Sequence, residues 1–482
     1  MGNDAPDTPF LTKGGVRGVF LFGVQRHSRN DIEEPPMETT SRCSPNDHLV
    51  IIGNGMASHR LIEALVKQPT RPQRITVIGA EPTPAYNRIL LSPLLAGEMQ
   101  QEALTLRDAQ WYADQGVTLI LGEKVVTLDR TSQTLTTDSG RSLDYDHLVI
   151  ATGSRPALPN VPGIELKGVH GFRNLQDADA LSDIAQQGGD AVVIGGGLLG
   201  LEAAEGLRKR GSDINVSVLQ RSERLMNRQL DATAAHLLKD TLTQRGLQII
   251  TGAQLARLES DAQGRVAKVH LADGRQLNAS SVIIAAGISA NAELGRQAGL
   301  HTNRAIVVDE WLTTSDPSIS ALGECCQFEG TTYGLVEPIW RQVEVLAATL
   351  CGTHSQGYAD APSATKLKIS GVALYAFGPT EASAEHEVLN YHDLERGDYR
   401  RLLLRNGQIE GAVLYGDTSQ GPWYFEQALA GTDLNAYRQA LLFGGADVEV
   451  LREASQHSPD SSELSSKQSS SKHSSSTTSE AA

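Results

Sequence analysis

The feature that most constrains this chain is a repetition. Residues 49–66 read LVIIGNGMASHRLIEALV, and residues 191–211 read AVVIGGGLLGLEAAEGLRKRG. Each is an apolar run that enters a glycine-rich turn and leaves as a helical pattern, so each reads as a buried strand, a tight bend and a helix. One such segment is a common way to turn a corner. Two, each followed by matching pieces, call for a duplicated α/β architecture.

The match continues past the helices. After the first helix, RITVIGAE reads as a second strand and is followed by a longer insertion. TTDSGRSLDYDHLVIATG then reads as a hairpin with a Ser-Gly turn and a buried strand ending at Gly153. The second copy continues with the strand INVSVLQR, a helical LDATAAHLLKDTLTQRG and the strand LQIITG. It closes with LADGRQLNASSVIIAAG, where an Asp-Gly turn leads to a strand ending at Gly287. Gly140 precedes Gly153 by 13 residues, and Gly274 precedes Gly287 by 13.

At 482 residues the chain is too long for one core, so two or three domains are expected. From 360 to about 445 the texture changes to KLKISGVALYAFG, YRRLLLRNGQIEGAVLYG and a helical GPWYFEQALAG, with RNGQ as a hairpin turn. The fold class expected is therefore α/β, with two Rossmann-like dinucleotide-binding domains plus a small C-terminal α+β domain. The first domain is expected from 47–157 together with 288–355, the second from 158–287 and the third from 360–446. Residues 1–46 and the serine-rich 450–482 lack periodicity and read as disordered extensions, with Met37 a candidate start.

Several function classes are disfavoured. No apolar run approaches the roughly 20 residues of a membrane helix, and GVFLFGV at 18–24 is far too short. With no cleavage pattern after it, the cytoplasm is the expected compartment. A formal charge of −15 argues against nucleic acid as a partner. Cys43, Cys325, Cys326 and Cys351 form no C-x-x-C pair and flank no histidine at ligand spacing, so no metal site or disulfide framework is expected. The adjacent Cys325 and Cys326 resist good disulfide geometry and read as packing residues.

In a G-x-G-x-x-G turn the first glycine allows the bend, the second lets backbone approach a pyrophosphate, and the third lets helix and strand pack closely. The phosphates sit at the helix N-terminus, where free N–H groups and the dipole favour negative charge. Gly195, Gly197 and Gly200 complete the pattern, whereas Gly53 and Gly55 are followed by Ser58 in the third place. At the end of the second strand of each copy, where a ribose is read, stand Glu81 in the first and Gln220 with Arg221 in the second. No acid there repels a 2′-phosphate, and the arginines lie either on a solvated loop or against such a phosphate; NADH and NADPH both stay open.

The order G-x-G, ATG, G-x-G, AAG and TSDPSISALGE resembles the two-dinucleotide-binding flavoproteins of the pyridine nucleotide reductase superfamily. That resemblance implies FAD on the first copy, with Thr152 and Gly153 in its closing turn and Gly323 and Glu324 at the ribityl and pyrophosphate region. It implies NAD(P)H on the second, with Gly287 closing that site and Glu202 near the nicotinamide. PAYNRILLSPLLAGE, RSERLMNRQLD and YGLVEPIWRQVEVLAATLCG are similar to the FAD module of NAD(P)H nitrite reductase large subunits and to electron-transfer subunits of assimilatory nitrate reductases. They are similar, less closely, to rubredoxin reductases. The likeness runs from about 48 to 445. Nitrite reductase large subunits continue into cysteine-rich domains where this sequence has a serine-rich tail, so direct nitrite reduction is not expected. Disulfide reductases of this kind carry two cysteines where AYNRILLSPLLAGE has none. Related ferredoxin reductases carry a lysine where Pro93 stands, which leaves Arg88 as the cation of that stretch.

The implied activity is hydride transfer from NAD(P)H to FAD, which needs position rather than an acid or base. Electrons then pass to a separate redox protein: a nitrate or nitrite reductase subunit, or alternatively rubredoxin or a ferredoxin. A flavin-binding sensor with little turnover is the reading from a different class.

Overall fold

Two five-stranded parallel sheets carry the repetition. In this computed structural model, which describes residues 42–456 except 354, 355, 370 and 394, the first sheet runs Ile319–Ala321, His147–Ile150, His48–Ile52, Arg74–Gly79, Val117–Leu121. The second runs Val169–His170, Ser281–Ile284, Gly189–Ile194, Ile214–Leu219, Gln248–Ile250. Both place the strand before the glycine turn at the centre, where both faces are covered and the residues are a near-continuous apolar run. In the second sheet Ala191 and Val193 pack on helices, while Val192 and Ile194 pack on the antiparallel strands Leu255–Ser260 and Val266–Leu271. All five residues of His48–Ile52 are buried.

The copies agree down to single hydrogen bonds. Ile52 pairs with Ile78 and Ile150, as Ile194 pairs with Leu219 and Ile284. The Gly53 N–H donates to the Ile78 carbonyl at 2.8 Å, and the Gly195 N–H donates to the Leu219 carbonyl at 2.8 Å. Each sheet also carries a three-stranded antiparallel flap, Val125–Asp129 with Thr134–Thr137 and Ser142–Asp144, and Leu255–Ser260 with Val266–Leu271 and Gln276–Asn278. The glycines of the anticipated turns, Gly140 and Gly274, have φ of +84° and +91°, which only glycine adopts freely.

The chain crosses between the sheets twice, and the crossings lie side by side. Ser154–Pro156 leaves the first sheet and Ile288–Ala290 returns to it, paired antiparallel. A short helix of the first insertion, Leu91–Leu95, packs onto the helix Leu198–Arg210 that follows the second turn; a Cβ on Gly206 would stand 2.9 Å from the Leu95 side chain.

The third sheet is antiparallel, ordered Thr365–Ile369, Val372–Phe377, Gln408–Tyr415, Asp398–Arg405, Glu387–Asp393, and helix Gly421–Ala430 packs on it. The RNGQ turn is a two-residue hairpin with Asn406 at φ +51° and Gly407 at +79°. This sheet shares a core with the second copy through Val372, Leu374, Val413 and Tyr415. Asp231, almost wholly buried, caps helix Ala232–Gln244, accepts from the Tyr399 hydroxyl at 2.8 Å and meets Arg401 at 3.3 Å.

Two edges differ from expectation. Cys43 is fully buried in the first core and its N–H donates to the Leu350 carbonyl at 3.1 Å, so ordered packing begins before residue 47. The helix Gly445–Gln456, anchored by Val448 buried in the third core, runs on past residue 450 into the stretch expected to be disordered. Met37 and the rest of both extensions lie outside the described residues.

Candidate functional site

Both turns are shaped by what a side chain would hit. Gly53 and Gly195 have φ of +106° and +127°, and a Cβ would stand 2.2 Å from the Ala151 carbonyl oxygen or 2.3 Å from that of Ala285. At Gly55 and Gly197 the reverse holds, with no heavy atom within 4 Å of a built Cβ, so each turn presents an open face. The helices that start there, Met56–Leu65 and Leu198–Arg210, have no side-chain cap and no acid in the first turn. Helices Leu175–Gln187 and Ala232–Gln244, by contrast, are capped by Asn174 and Asp231. Free N–H groups beside an open glycine fit a pyrophosphate.

The third places differ. A Cβ on Gly200 would stand 1.9 Å from the Gly195 carbonyl oxygen, whereas Ser58 is fully buried with its Cβ accommodated. The Ser58 Oγ, Asn54 Oδ1 and Thr83 Oγ1 are buried near the first turn without a partner among the described residues. Such orphaned atoms fit a bound group that brings its own donors and acceptors.

The acids and cations expected on the FAD side form one connected set. Glu81 accepts from the Tyr86 hydroxyl at 2.7 Å and pairs with Arg88. Arg88 stacks over the Tyr86 ring, 4.9 Å to its centroid, and donates to the Arg173 carbonyl at 3.0 Å. The Arg173 guanidinium pairs with Glu324, which also accepts from Ser154 Oγ at 3.0 Å. Burial pushes the Tyr86 phenol up, and the Glu81 hydrogen bond adds to that direction. Gly153 lies beside the Glu324 carboxylate, 3.8 Å from where its Cβ would be. Thr152 and Asn291 bond reciprocally: Thr152 Oγ1 donates to the Asn291 carbonyl at 2.8 Å, and Asn291 Nδ2 to the Thr152 carbonyl at 2.9 Å. The Gly323 N–H donates to the fully buried Gln342 Oε1 at 3.0 Å.

On the other side the expected residues are dispersed. Glu202 accepts from Ser92 Oγ of helix Leu91–Leu95 at 2.8 Å, and burial raises its pKa against the lowering effect of that bond. Gln220 accepts from the Gly196 N–H at 2.8 Å, which makes it part of the turn. Arg221 is exposed. Gly287, at φ +123°, has open space where a Cβ would be, and its carbonyl accepts from the Ala157 N–H at 2.9 Å. Cys325 and Cys326 are fully buried thiols whose pKa values burial raises.

Arg173, Ser92 and Gln342 went unread in the sequence. Gln342 lies inside a stretch singled out as informative, but Arg173 sits in an ordinary GFRNLQ connection 151 residues from Glu324. No local pattern announces such a pair.

The arrangement offers two open, uncapped glycine turns joined by a shared crossing, with polar residues bridging the copies. Comparison with known proteins agrees. Residues 47–347 match the family model described as pyridine nucleotide-disulphide oxidoreductase, and 362–428 match the rubredoxin NAD+ reductase C-terminal domain. The chain is 40% identical over 387 residues to a nitrite reductase [NAD(P)H] of Bacillus subtilis, covering 80% of this chain and 48% of that protein. It is 38% identical over 394 residues to the assimilatory nitrate reductase electron transfer subunit of the same organism, covering 82% of this chain and 51% of that one. The chain thus spans about half the length of these curated relatives. Among solved structures, the covalent putidaredoxin reductase–putidaredoxin complex superposes with a TM-score of 0.74 at 26% identity, covering 86% of this chain and 100% of that one. With the family model matched over more than half of its length, the chain belongs to the pyridine nucleotide-disulphide oxidoreductases, and it is an oxidoreductase.

Proposed function

We propose that this chain is an FAD-dependent NAD(P)H oxidoreductase that delivers electrons to a separate redox protein, in nitrate or nitrite assimilation and in the cytoplasm. The observation that carries this reading is the pair of uncapped helix N-termini at Gly55 and Gly197, each open to a phosphate and each repeated in register. The names of the two Bacillus subtilis relatives support the setting. Among the described residues no helix is long and apolar enough to cross a membrane.

In this reading residues 47–157 and 288–355 form the FAD domain, 158–287 the NAD(P)H domain and 360–446 a small third domain. FAD held by the first copy would supply a hydride acceptor for NAD(P)H and a source of electrons for the partner. The chain itself binds and orients. Gly53, Gly55 and Ser58 shape the first phosphate cradle, Glu81 faces the ribose, and Arg88 with Arg173 offsets negative charge across the cleft. Glu324, Gly323, Thr152 and Gly153 fix the opposite end. Gly195, Gly197, Gly200 and Gly287 shape the donor site, and Glu202, held by Ser92, orients the nicotinamide end.

Anaerobic mixing of the yellow holoprotein with NADH or NADPH should bleach the flavin, and ferricyanide should restore it. A flavin that neither donor bleaches overturns the reading. The match of 362–428 to a rubredoxin NAD+ reductase domain favours a second acceptor class, rubredoxin or a ferredoxin. Faster electron delivery to rubredoxin than to a nitrate reductase partner would select it.

A further inference from the structure

The donor site differs from an NADH-type site at one position, the end of the strand Ile214–Leu219. A site that prefers the unphosphorylated ribose places a carboxylate there to accept its hydroxyls. Here the residue is Gln220, and the protein consumes its whole amide. Its Oε1 accepts from the Gly196 N–H at 2.8 Å, and its Nε2 donates to Ser222 Oγ and, at 3.2 Å, to the Arg224 carbonyl. The nearest acid along the chain is Glu223, which is exposed. Glu223 lies against Gly252, where a built Cβ would stand 2.7 Å from its Oε1. Asp231 is occupied by its helix cap, Tyr399 and Arg401.

Two arginines flank that position, and their circumstances differ. Arg224 is paired with Glu381 of the third sheet's loops. Arg221 is exposed and makes no hydrogen bond or ion pair among the described residues. Its backbone is nonetheless fixed. The Gln220 N–H donates to the Ile250 carbonyl at 2.9 Å, the Gly252 N–H to the Ser222 carbonyl at 3.1 Å, and the Met226 N–H to the Gly196 carbonyl at 2.9 Å. The segment 220–226 is therefore stitched to the glycine turn at both ends, with one permanently charged, planar donor facing solvent beside it.

We propose that the donor site selects the 2′-phosphorylated nicotinamide dinucleotide, NADPH, and that Arg221 recognises the 2′-phosphate. The proposal rests on the NAD(P)H reading above and deepens it by naming the donor. A guanidinium meets a phosphate through paired, charge-assisted hydrogen bonds.

The test compares kcat/KM for NADPH and NADH in the holoenzyme with ferricyanide as acceptor, in the wild type, Arg221→Ala and Arg221→Lys. NADPH should be favoured about tenfold or more, the NADPH-to-NADH ratio should fall about tenfold in Arg221→Ala, and Lys should keep part of it. Calorimetry adds a readout independent of turnover: adenosine 2′,5′-bisphosphate should bind more tightly than 5′-AMP to the wild type, and that difference should shrink in Arg221→Ala. Preference for NADH, or a ratio unmoved by Arg221→Ala, overturns the proposal. Failure of the oxidoreductase reading looks different: neither donor would bleach the flavin, while tighter binding of adenosine 2′,5′-bisphosphate than of 5′-AMP, lost in Arg221→Ala, would still uphold recognition of the 2′-phosphate by Arg221.

Discussion

The two glycine turns share a strand register, a first glycine and a hydrogen-bond frame, yet they part at the third place. In the second turn a Cβ on Gly200 would lie 1.9 Å from a backbone oxygen, while in the first turn the same place holds Ser58, buried and complete. What is common follows from the bend itself: Gly53 and Gly195 adopt positive φ and lie against a carbonyl of the neighbouring strand. What differs is the room at the third helical place, which admits a side chain in the first copy and none in the second. The duplicated part is thus the part that backbone sterics enforce.

Exchanging the third residues tests that distinction most severely. Gly200→Ser should cost about 3 kcal/mol or more, since backbone must move to admit it. The reverse exchange, Ser58→Gly, should cost only about 0.5–1 kcal/mol, the helix penalty of glycine. Urea unfolding of both variants reads the contrast, and equal losses would mean that the two helices stand off alike. Next in size is the pair that closes the first site and has no counterpart in the second. Glu324→Gln leaves Arg173 without its partner in a mostly buried position and should weaken flavin retention about tenfold. Flavin fluorescence during dialysis measures it; unchanged retention would reduce the pair to a surface contact.

The smallest effect concerns Glu202, where the copies touch. Burial holds its folded pKa above the ordinary 4.5, with the Ser92 hydrogen bond working against that rise. A folded chain that binds this proton more tightly gains stability from it below about pH 4.5 and loses that contribution as pH rises through the folded value. Glu202→Gln carries no such loss, so its stability relative to the wild type should improve from about pH 5 to pH 8. Parallel unfolding midpoints across that range would place the carboxyl in water.

Legibility in the sequence followed the same division. The strands, both glycine bends, the hairpins at Gly140 and Gly274 and the RNGQ turn were readable because each depends on local backbone chemistry. Glu81 could be nominated from its place at the strand end, and Arg88 and Glu324 from the family resemblance, but their connection could not. It passes through Arg173, which pairs across 151 residues. Gln220 was nominated for the ribose, whereas its amide hydrogen-bonds within its own turn, a contact that only the folded loop 220–226 creates. Cys43 and the helix Gly445–Gln456 were missed for a related reason, since each is held by burial against a distant core rather than by periodicity.

The paired crossings have one more consequence. Because the chain enters the second sheet through Ser154–Pro156 and leaves it through the adjacent Ile288–Ala290, everything between behaves as a cassette whose two ends coincide. Such a cassette can be lifted out and replaced without lengthening either connector or disturbing the order of strands around it. A fold built this way can exchange one segment through a single pair of connectors, while the first sheet keeps its own frame.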